Sequence, residues 1–552
     1  MRFIKLYVSL LACIVISNCY ARENKYDLSA PTDLSETGVN KVLCMKNGNT
    51  MLFHFEPARK INVIVFDSLH KEIANTKEPC KVLDILTLEH VVFKGIYDIN
   101  GEAVMFFDQD HNGKHELVRL RYNAKNGMLI EEKLIAESQS EDKRMQFFVM
   151  KNKDNDNYSI LFCTDKRHPK ECDIFIVFFD AHHKSIREIQ LPVDRKKFDY
   201  LRVIDAESQP NGTLISLALA KTTVNGLTTD MEPDTHMSAV YDHFMQYFYI
   251  PKDSSSAKTG IVSLSTGVFA QYAAYTYNHF ASALNLLVYS YKPIDTRFGT
   301  HEVTGGMSRD LFFRFNEDDF SIGLNDIKNT MANDFYKQNA GVDKNFIGVP
   351  LTMFTNENGL TTLISETHTT YGVAETRVRY NYEDYFGTIA VTQVDDNGNE
   401  LWGAVLPLSQ YYKSYQHYLD VNAIAKRWQN QPLFEDMPSQ VYNRQFIGIN
   451  AYCREKNYYI VYNDYNKNFG NSLKNPGDTV YSFNTTNTCY YKMNRKKEIT
   501  KHHLFGEPIT DEYKCSFIEG ADFDESRGIY ASLVQYKKGD EISLRMAWSH
   551  LD

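Results

Sequence analysis

The chain has 552 residues, is 43% hydrophobic and 13% aromatic, and carries a formal net charge of −10. An acidic chain without clustered lysine and arginine argues against a nucleic-acid partner, because phosphate binding needs such clusters. Tyrosine (36) and phenylalanine (34) are abundant, and long helical periodicity is nearly absent. Both features favour strands over helices and predict an all-β protein.

The N-terminus has the pattern of a secretory signal. Arg2 and Lys5 precede an apolar run over 6–17, and Cys19-Tyr20-Ala21 supplies small residues for cleavage. We therefore predict a signal peptide over residues 1–21 and a protein that is periplasmic, outer-membrane-associated or extracellular. Lipidation at Cys19 is the alternative. No later stretch reaches the roughly 18 apolar residues of a transmembrane helix.

A recurring hairpin is the strongest signal in the rest of the chain. An apolar run ends at Asp or Asn, a polar turn follows, and a second strand begins. The shortest spacings between successive turns are 55 to 57 residues, as from Asp67 to Asn123. The turn positions are Asp67, Asn123, Asp180, Asp253, Asn316, Asp395, Asn494 and Ser549.

A second hairpin precedes this one in each unit and is often marked by Asn-Gly, as at Asn47-Gly48, Asn100-Gly101, Asn211-Gly212 and Asn358-Gly359. Asn-Gly adopts the positive φ angles of a type I′ turn. Each unit thus contains four strands, A to D, which predicts a single β-propeller of about eight blades, with seven as a variant. The last unit ends after strand C, and residues 22–40 could supply its strand D. Separate β-sandwiches are the alternative.

The pattern resembles that of uncharacterised secreted β-propeller proteins of Bacteroidota-type bacteria. The stretch Tyr458–Asp464 and the turn Asp395–Glu400 carry this resemblance. It implies a propeller fold and an export route, and it transfers no catalytic residues.

We expect one propeller domain over 22–552, with loops inserted between strands B and C or between D and A. These two connections lie on the same face of a propeller, which we call the loop-rich face. Loops elaborated on one face of a rigid scaffold commonly bind ligands. The expected insertions are 221–242, 292–308, 326–345, 369–384, 409–443 and 463–488.

Two groups on this face are candidates for ligand binding. The first is an acidic loop that could bind a metal or act as acid and base, or simply be solvated. It contains Asp230, Glu232, Asp234 and His236. The second is a predicted helix over Gln410–Asn430, in which Tyr411, Tyr415 and Tyr418 share one side. This stripe could stack on sugar rings, or it could pack the helix onto the disc.

A third group resembles the calcium loops of integrin-type propellers. Its D-x-D-x-N-G-x-x-E spacing places oxygen ligands around a glycine. The ligands would be Asp108, Asp110, Asn112, the Lys114 carbonyl and Glu116. The alternative is an ordinary hairpin turn. Bound Ca²⁺ would be structural.

No nucleophile elbow, zinc-protease, phosphate-loop or dinucleotide-binding motif occurs. The residues therefore favour a non-catalytic binding or scaffold protein that holds a glycan, peptide or protein. The alternative is a propeller-fold glycoside hydrolase or polysaccharide lyase, which would need two carboxylates facing each other in the central channel.

Overall fold

In the described part of the chain, eight antiparallel sheets form a ring, so the protein is an eight-bladed β-propeller. This confirms the predicted all-β fold and selects eight blades over seven. The first strands of blades 1 to 6, numbered from the N-terminal side, contact one another in turn and therefore lie nearest the axis. The computed structural model describes residues 26–35, 38–56, 61–83, 91–138, 145–164, 173–194, 197–198, 200–222, 241–264, 269–278, 281–292, 307–316, 322–346, 348–374, 380–414 and 444–551.

Each of the first four blades has four strands in simple order, after a short N-terminal strand β1 (Tyr26–Leu28). Blade 1 contains β2 (Val39–Cys44), β3 (Thr50–Phe55), β4 (Ile61–Phe66) and β5 (Glu72–Glu78). Blade 2 contains β6 (Val91–Ile99), β7 (Glu102–His111), β8 (Lys114–Asn123) and β9 (Leu129–Glu137). Blade 3 contains β10 (Met145–Lys151), β11 (Tyr158–Thr164), β12 (Ile174–Phe179) and β13 (Ser185–Gln190). Blade 4 contains β14 (Tyr200–Gln209), β15 (Gly212–Thr222), β16 (Tyr241–Pro251) and β17 (Lys258–Ser263).

The later blades carry additions to the same plan. Blade 5 contains β18 (Phe269–Asn278), β19 (Ala283–Lys292), β20 (Met307–Asn316) and β21 (Ile322–Ile327), and helix α1 (Thr330–Ala340) follows. Blade 6 contains β22 (Val349–Thr355), β23 (Thr361–Ala374), β24 (Tyr380–Val394), β25 (Glu400–Leu406) and β26 (Gln410–Ser414). Blade 7 contains β27 (Ile449–Arg454), β28 (Asn457–Tyr465), β29 (Thr486–Met493) and β30 (Ile499–His503). Blade 8 contains β31 (Glu512–Ser516), β32 (Asp522–Asp524), β33 (Ile529–Lys538) and β34 (Glu541–His550).

The N-terminal strand closes the ring, as predicted. Strand β1 pairs antiparallel with β34, from Tyr26 opposite Ser549 to Leu28 opposite Ala547. Blade 1 also holds this closing strand, because His70 Nδ1 lies 2.7 Å from Asp27 Oδ2. The His70 ring stacks on Trp548, with ring centroids 4.3 Å apart. The closing strand thus joins the last blade to the first.

The Asp and Asn repeat signature has a direct physical cause. Asp67 Oδ1 accepts backbone N–H groups of Leu69 and Lys71, each at 2.9 Å, and so closes the turn between strands C and D. Asp180, Asp395 and Asn494 accept the equivalent pairs of N–H groups in their own blades. Short polar side chains do this because they reach the backbone two residues ahead.

The Asn-Gly turns differ from the prediction at most positions. Of the four, only Asn100-Gly101 has positive φ at both residues (55° and 73°), as a type I′ turn requires. At Asn47-Gly48 and Asn358-Gly359 only the glycine has positive φ, because these turns are longer. At Asn211-Gly212 the glycine already belongs to β15 and lies opposite Pro251, so the turn itself is Pro210-Asn211.

The face opposite the loop-rich face has short turns. On this face, adjacent blades are also linked to each other. These links are hydrogen bonds or ion pairs that join the A–B turn region of one blade to its neighbour. They are Lys46 to Asp98, Asn100 to Asp156, Lys153 to Glu207, Asn211 to Tyr277, Asn278 to Gly359, Glu357 to Lys456 and Arg527 to Gly48.

Two expected insertions differ from the structure. The segment 369–384 is largely the continuation of strands β23 and β24, and not a loop. The helix expected over Gln410–Asn430 begins as strand β26, which pairs with β24. The reason is a two-residue pattern: Gln410 and Tyr412 are buried, whereas Tyr411 is part-exposed and Lys413 exposed.

Other expected insertions are only partly described. The segment 326–345 contains α1. The segment 463–488 contains the ends of β28 and β29 and the loop between them, with 3₁₀ turns at Asn466–Asn468 and Phe483–Thr485. Residues 1–25, 223–240, 293–306 and 415–443 lie outside the described residues, and with them the predicted signal peptide. Within the described residues, no helix has the length and apolar character needed to cross a membrane.

The turn signature can be tested with Asp67→Ala. We expect a loss of about 1 kcal/mol in the free energy of unfolding, because two backbone N–H groups lose their acceptor. Asp67→Asn is the matched control, since it keeps the acceptor oxygen and the repeat itself uses Asn at this position. Urea unfolding checks both variants. Equal losses in the two would contradict the assigned role of Oδ1.

The buried His54 makes stability depend on pH. Burial, with a smaller contribution from the charge of Lys77, lowers its pKa to about 4, while Nδ1 lies 2.8 Å from Asn40 Oδ1. The unfolded chain, with a histidine pKa near 6.5, then binds the proton first as pH falls. We expect His54 to remove up to about 3 kcal/mol of unfolding free energy between pH 6.5 and 4.

Urea unfolding at a series of pH values checks this expectation. His54→Gln should flatten the pH dependence over that window, while His182→Gln, in an exposed turn, should leave it unchanged. A profile of the His54 variant that is as steep as that of the unaltered chain would overturn the assignment.

Candidate functional site

Part of blade 6 extends beyond the blade on the loop-rich face and forms a small two-sided sheet. In the pairing of β24 with β26, Glu383 lies opposite Lys413 and Tyr385 lies opposite Tyr411. Side chains alternate along a strand, so these four share the outer side. The residues between them share the inner side and are all buried; they are Asp384, Phe386, Gln410 and Tyr412.

The inner side is fastened to the propeller by Gln410. Its Nε2 donates to the Asn463 carbonyl at 2.8 Å, and its Oε1 accepts the Gly448 N–H at 2.7 Å. Gln410 is fully buried, so both bonds are shielded from water. This single side chain therefore ties the extension of blade 6 to blade 7.

Polar and apolar contacts complete the inner side. His368 Nε2 lies 3.3 Å from Asp384 Oδ1, and both side chains are only 1% exposed. The His368 ring also packs on Phe386, with centroids 4.7 Å apart. Phe386 and Tyr412 join an apolar cluster that includes Phe446 from blade 7. The extension is thus held rigidly against the body.

The outer side carries three adjacent tyrosines. The ring centroids of Tyr385 and Tyr411 are 5.1 Å apart, and those of Tyr411 and Tyr481 are 5.0 Å apart, with tilts of 59° and 47°. Tyr481 is brought there by Val480, whose carbonyl accepts the Tyr411 N–H at 3.0 Å. Tyr481 is 61% exposed. We call Tyr385, Tyr411 and Tyr481, with Glu383 and Lys413, the tyrosine platform.

The polar groups of the platform suit hydrogen bonding to a ligand. Tyr385 donates to Glu383 Oε2 at 3.5 Å. Burial, together with the nearby Glu383 charge, raises the pKa of Tyr411 to about 12. Its hydroxyl therefore stays protonated at neutral pH. The platform thus presents phenol groups and a carboxylate beside aromatic surface.

The structure includes one of the three predicted tyrosines in this site. Tyr411 lies at its centre, on a strand and not on the expected helix. Tyr415 and Tyr418 lie outside the described residues. The predicted acidic loop is also outside them, with Asp230, Glu232, Asp234 and His236.

The segment predicted to bind calcium forms a tight hairpin. Asn112 and Gly113 have φ of 53° and 74° and make a two-residue turn between β7 and β8. Asp108 contacts Lys94 Nζ at 3.2 Å and His115 Nδ1 at 3.0 Å. Asp110 Oδ1 lies 3.5 Å from the same His115 nitrogen.

Glu116 lies on the opposite side of this hairpin. It is directly opposite Gln109 and accepts the Gln109 Nε2–H at 2.7 Å. Lys114 instead pairs through its ammonium with Glu137 at 2.9 Å. The predicted ligands are therefore not brought around one point. Among the described residues, no group of three His, Cys, Asp or Glu side chains is placed to hold a metal ion.

Sequence reasoning missed four platform residues: Glu383, Tyr385, Lys413 and Tyr481. A signal was present, because Glu383 and Tyr385 are two residues apart, as are Tyr411 and Lys413. This is strand periodicity. Tyr481 had no such signal, since it joins the platform only through the backbone pairing of Val480.

No protein-family model and no curated protein matches the chain. Among solved structures, it is similar to the WD40 domain of SCAP from fission yeast, at 8% identity over 96% of this chain and 98% of that one, with a TM-score of 0.35. It is similar to the propeller domain of the Trilobed protease from Pyrococcus furiosus, at 10% identity over 83% and 93%, with a TM-score of 0.33. An ulvan lyase of a polysaccharide lyase family has 9% identity over 71% and 86%, with a TM-score of 0.37. These similarities assign no ligand or reaction to this chain.

The anchoring role of Gln410 gives a test of the site's construction. In Gln410→Ala the Gly448 N–H and the Asn463 carbonyl lose their partner in a buried place, so we expect a loss of about 2 to 3 kcal/mol in unfolding free energy. Lys413→Ala, three residues further on but exposed, should change it by less than about 0.5 kcal/mol. Urea unfolding, with hydrogen exchange at Gly448, checks both. Unchanged exchange at Gly448 in Gln410→Ala would refute the anchor.

Proposed function

We propose that this chain is an exported, non-catalytic binding protein of the envelope or extracellular space, and that it holds a glycan on the tyrosine platform. The contiguous arrangement of Tyr385, Tyr411 and Tyr481 on the outer side of the blade 6 extension carries the proposal. Aromatic faces pack against the apolar faces of sugar rings. The neighbouring hydroxyl and carboxylate groups can exchange hydrogen bonds with sugar hydroxyls.

The rigidity of the platform supports a binding role. Its inner side is fixed by Gln410, by the His368–Asp384 pair and by apolar packing. A preformed surface loses little conformational freedom when a ligand binds, so more of the contact energy contributes to affinity. Export fits the same proposal, because the predicted signal peptide would bring the protein into contact with extracellular polymers.

The platform favours binding over glycoside hydrolysis or lyase chemistry. Hydrolysis uses two carboxyl groups on either side of the scissile bond. On the outer side of the β24–β26 pair, the residue opposite Glu383 is Lys413 and not a second carboxylate. A glycoside hydrolase or polysaccharide lyase remains the alternative function, and cleavage of a bound glycan would establish it.

A glycan array with residues 22–552, run with calcium and again with a chelator, tests the proposal. We expect specific binding in which Tyr481→Ala weakens affinity about three- to tenfold, since an aromatic contact contributes roughly 0.5 to 1.5 kcal/mol. Ile509→Ala is the control: Ile509 is similarly exposed (58%) and lies outside the platform.

Each outcome of the glycan array supports or contradicts a part of the proposal. A glycan that binds Tyr481→Ala as tightly as the unaltered chain would remove the platform from the proposal. Loss of binding in chelator would implicate an ion, with the Asp108 hairpin as the first place to examine. No glycan binding in either condition would contradict the proposal and favour a peptide or protein ligand, sought by crosslinking.

A further inference from the structure

Charged residues of opposite sign lie on either side of the three tyrosines of the platform. At one end, Glu383 and Lys413 occupy directly opposite positions on β24 and β26. Opposite charges in such positions attract each other across a sheet. Lys413 is exposed and Glu383 is partly exposed, so both are within reach of a ligand on the outer side.

The other end has a second pair. Lys467 Nζ forms an ion pair with Asp478, and the two side chains are 63% and 65% exposed. This pair adjoins Tyr481 through Tyr465, whose hydroxyl accepts the Tyr481 N–H at 3.2 Å. Lys467 Nζ lies 5.2 Å from the centroid of the Tyr465 ring. The hydrogen bond with Asp478 raises the pKa of Lys467, so it stays charged at neutral pH.

We propose that the ligand of the tyrosine platform is an uncharged saccharide, an inference that rests on the proposed glycan-binding function. An anionic sugar beside Lys413 would also meet the negative charge of Glu383 on the opposite strand. Beside Lys467 it would have to compete with Asp478. A positively charged amino sugar would be repelled by Lys413 beside Glu383, and it would compete with Lys467 for Asp478. The formal net charge of −10 adds long-range repulsion against polyanions. A neutral sugar meets neither obstacle and uses the rings and hydroxyls.

The first experiment compares three glycan classes on the unaltered chain: neutral, uronic or sulfated, and amino-bearing. We expect the neutral class to bind most tightly. Its Kd should change by less than about twofold between 0.05 and 0.5 M NaCl, because salt screens charge interactions and not stacking. A Kd that rises about tenfold or more over this range would overturn the inference.

The second experiment removes one charge at a time from Glu383 and Lys413. Lys413→Gln leaves Glu383 unopposed and should improve binding of the amino-bearing class about threefold or more. Glu383→Gln should do the same for the uronic or sulfated class. Lys538→Gln, at the end of a strand of blade 8 and outside the platform, controls for net charge alone. Unaltered class preference in both platform variants would contradict the role of the pair.

The two proposals fail in different ways. If no glycan of any class binds, the proposed function itself is wrong. If glycans bind, Tyr481→Ala weakens them, and the charged classes bind best, the glycan-binding function stands and the inference of an uncharged ligand is wrong.

Discussion

The pairing of β1 with β34 is the interaction on which the rest of the structure depends. Eight blades pack side by side, and without this pairing the last blade would lack its outer strand. Asp27, His70 and Trp548 make the closure a joint between blade 8 and blade 1. A closed ring leaves no unpaired blade face at either end of the array.

The two faces of the ring have different roles: one links the blades, and the other carries the tyrosine platform. On the tight-turn face, Asp and Asn side chains close the turns and neighbouring blades are cross-linked, as between Asn100 and Asp156. Insertion there would break these contacts. On the opposite face, blade 6 extends its middle strands and adds β26, and the loop 463–488 of blade 7 brings Tyr481 to the same place. The platform is thus built by two blades on a support that a third, blade 8, helps to hold.

The sequence predicted most of the fold, since it depends on local rules. Turn residues such as Asp67 and Asn494 act within a few residues of themselves, so their spacing revealed the blades and the closing strand. The platform depends on distant pairing. The helical spacing of Tyr411, Tyr415 and Tyr418 competed with a two-residue pattern over Gln410–Lys413, and only β24, some thirty residues earlier, makes a strand the better choice. The calcium spacing also depends on strand pairing: in a tight hairpin, Asp108 and Glu116 face opposite sides.

Closure by the first strand also has a consequence for how the chain reaches its native state. Ribosomal synthesis runs from the N-terminal to the C-terminal side, so β1 is made long before its partner β34. Tyr26 and Ser549 are nearly the whole chain apart, and contacts of such long sequence separation slow folding. Until β34 is available, seven blades stand as an open stack with an apolar face at each end. The nascent protein is therefore exposed to aggregation until β34 has been made.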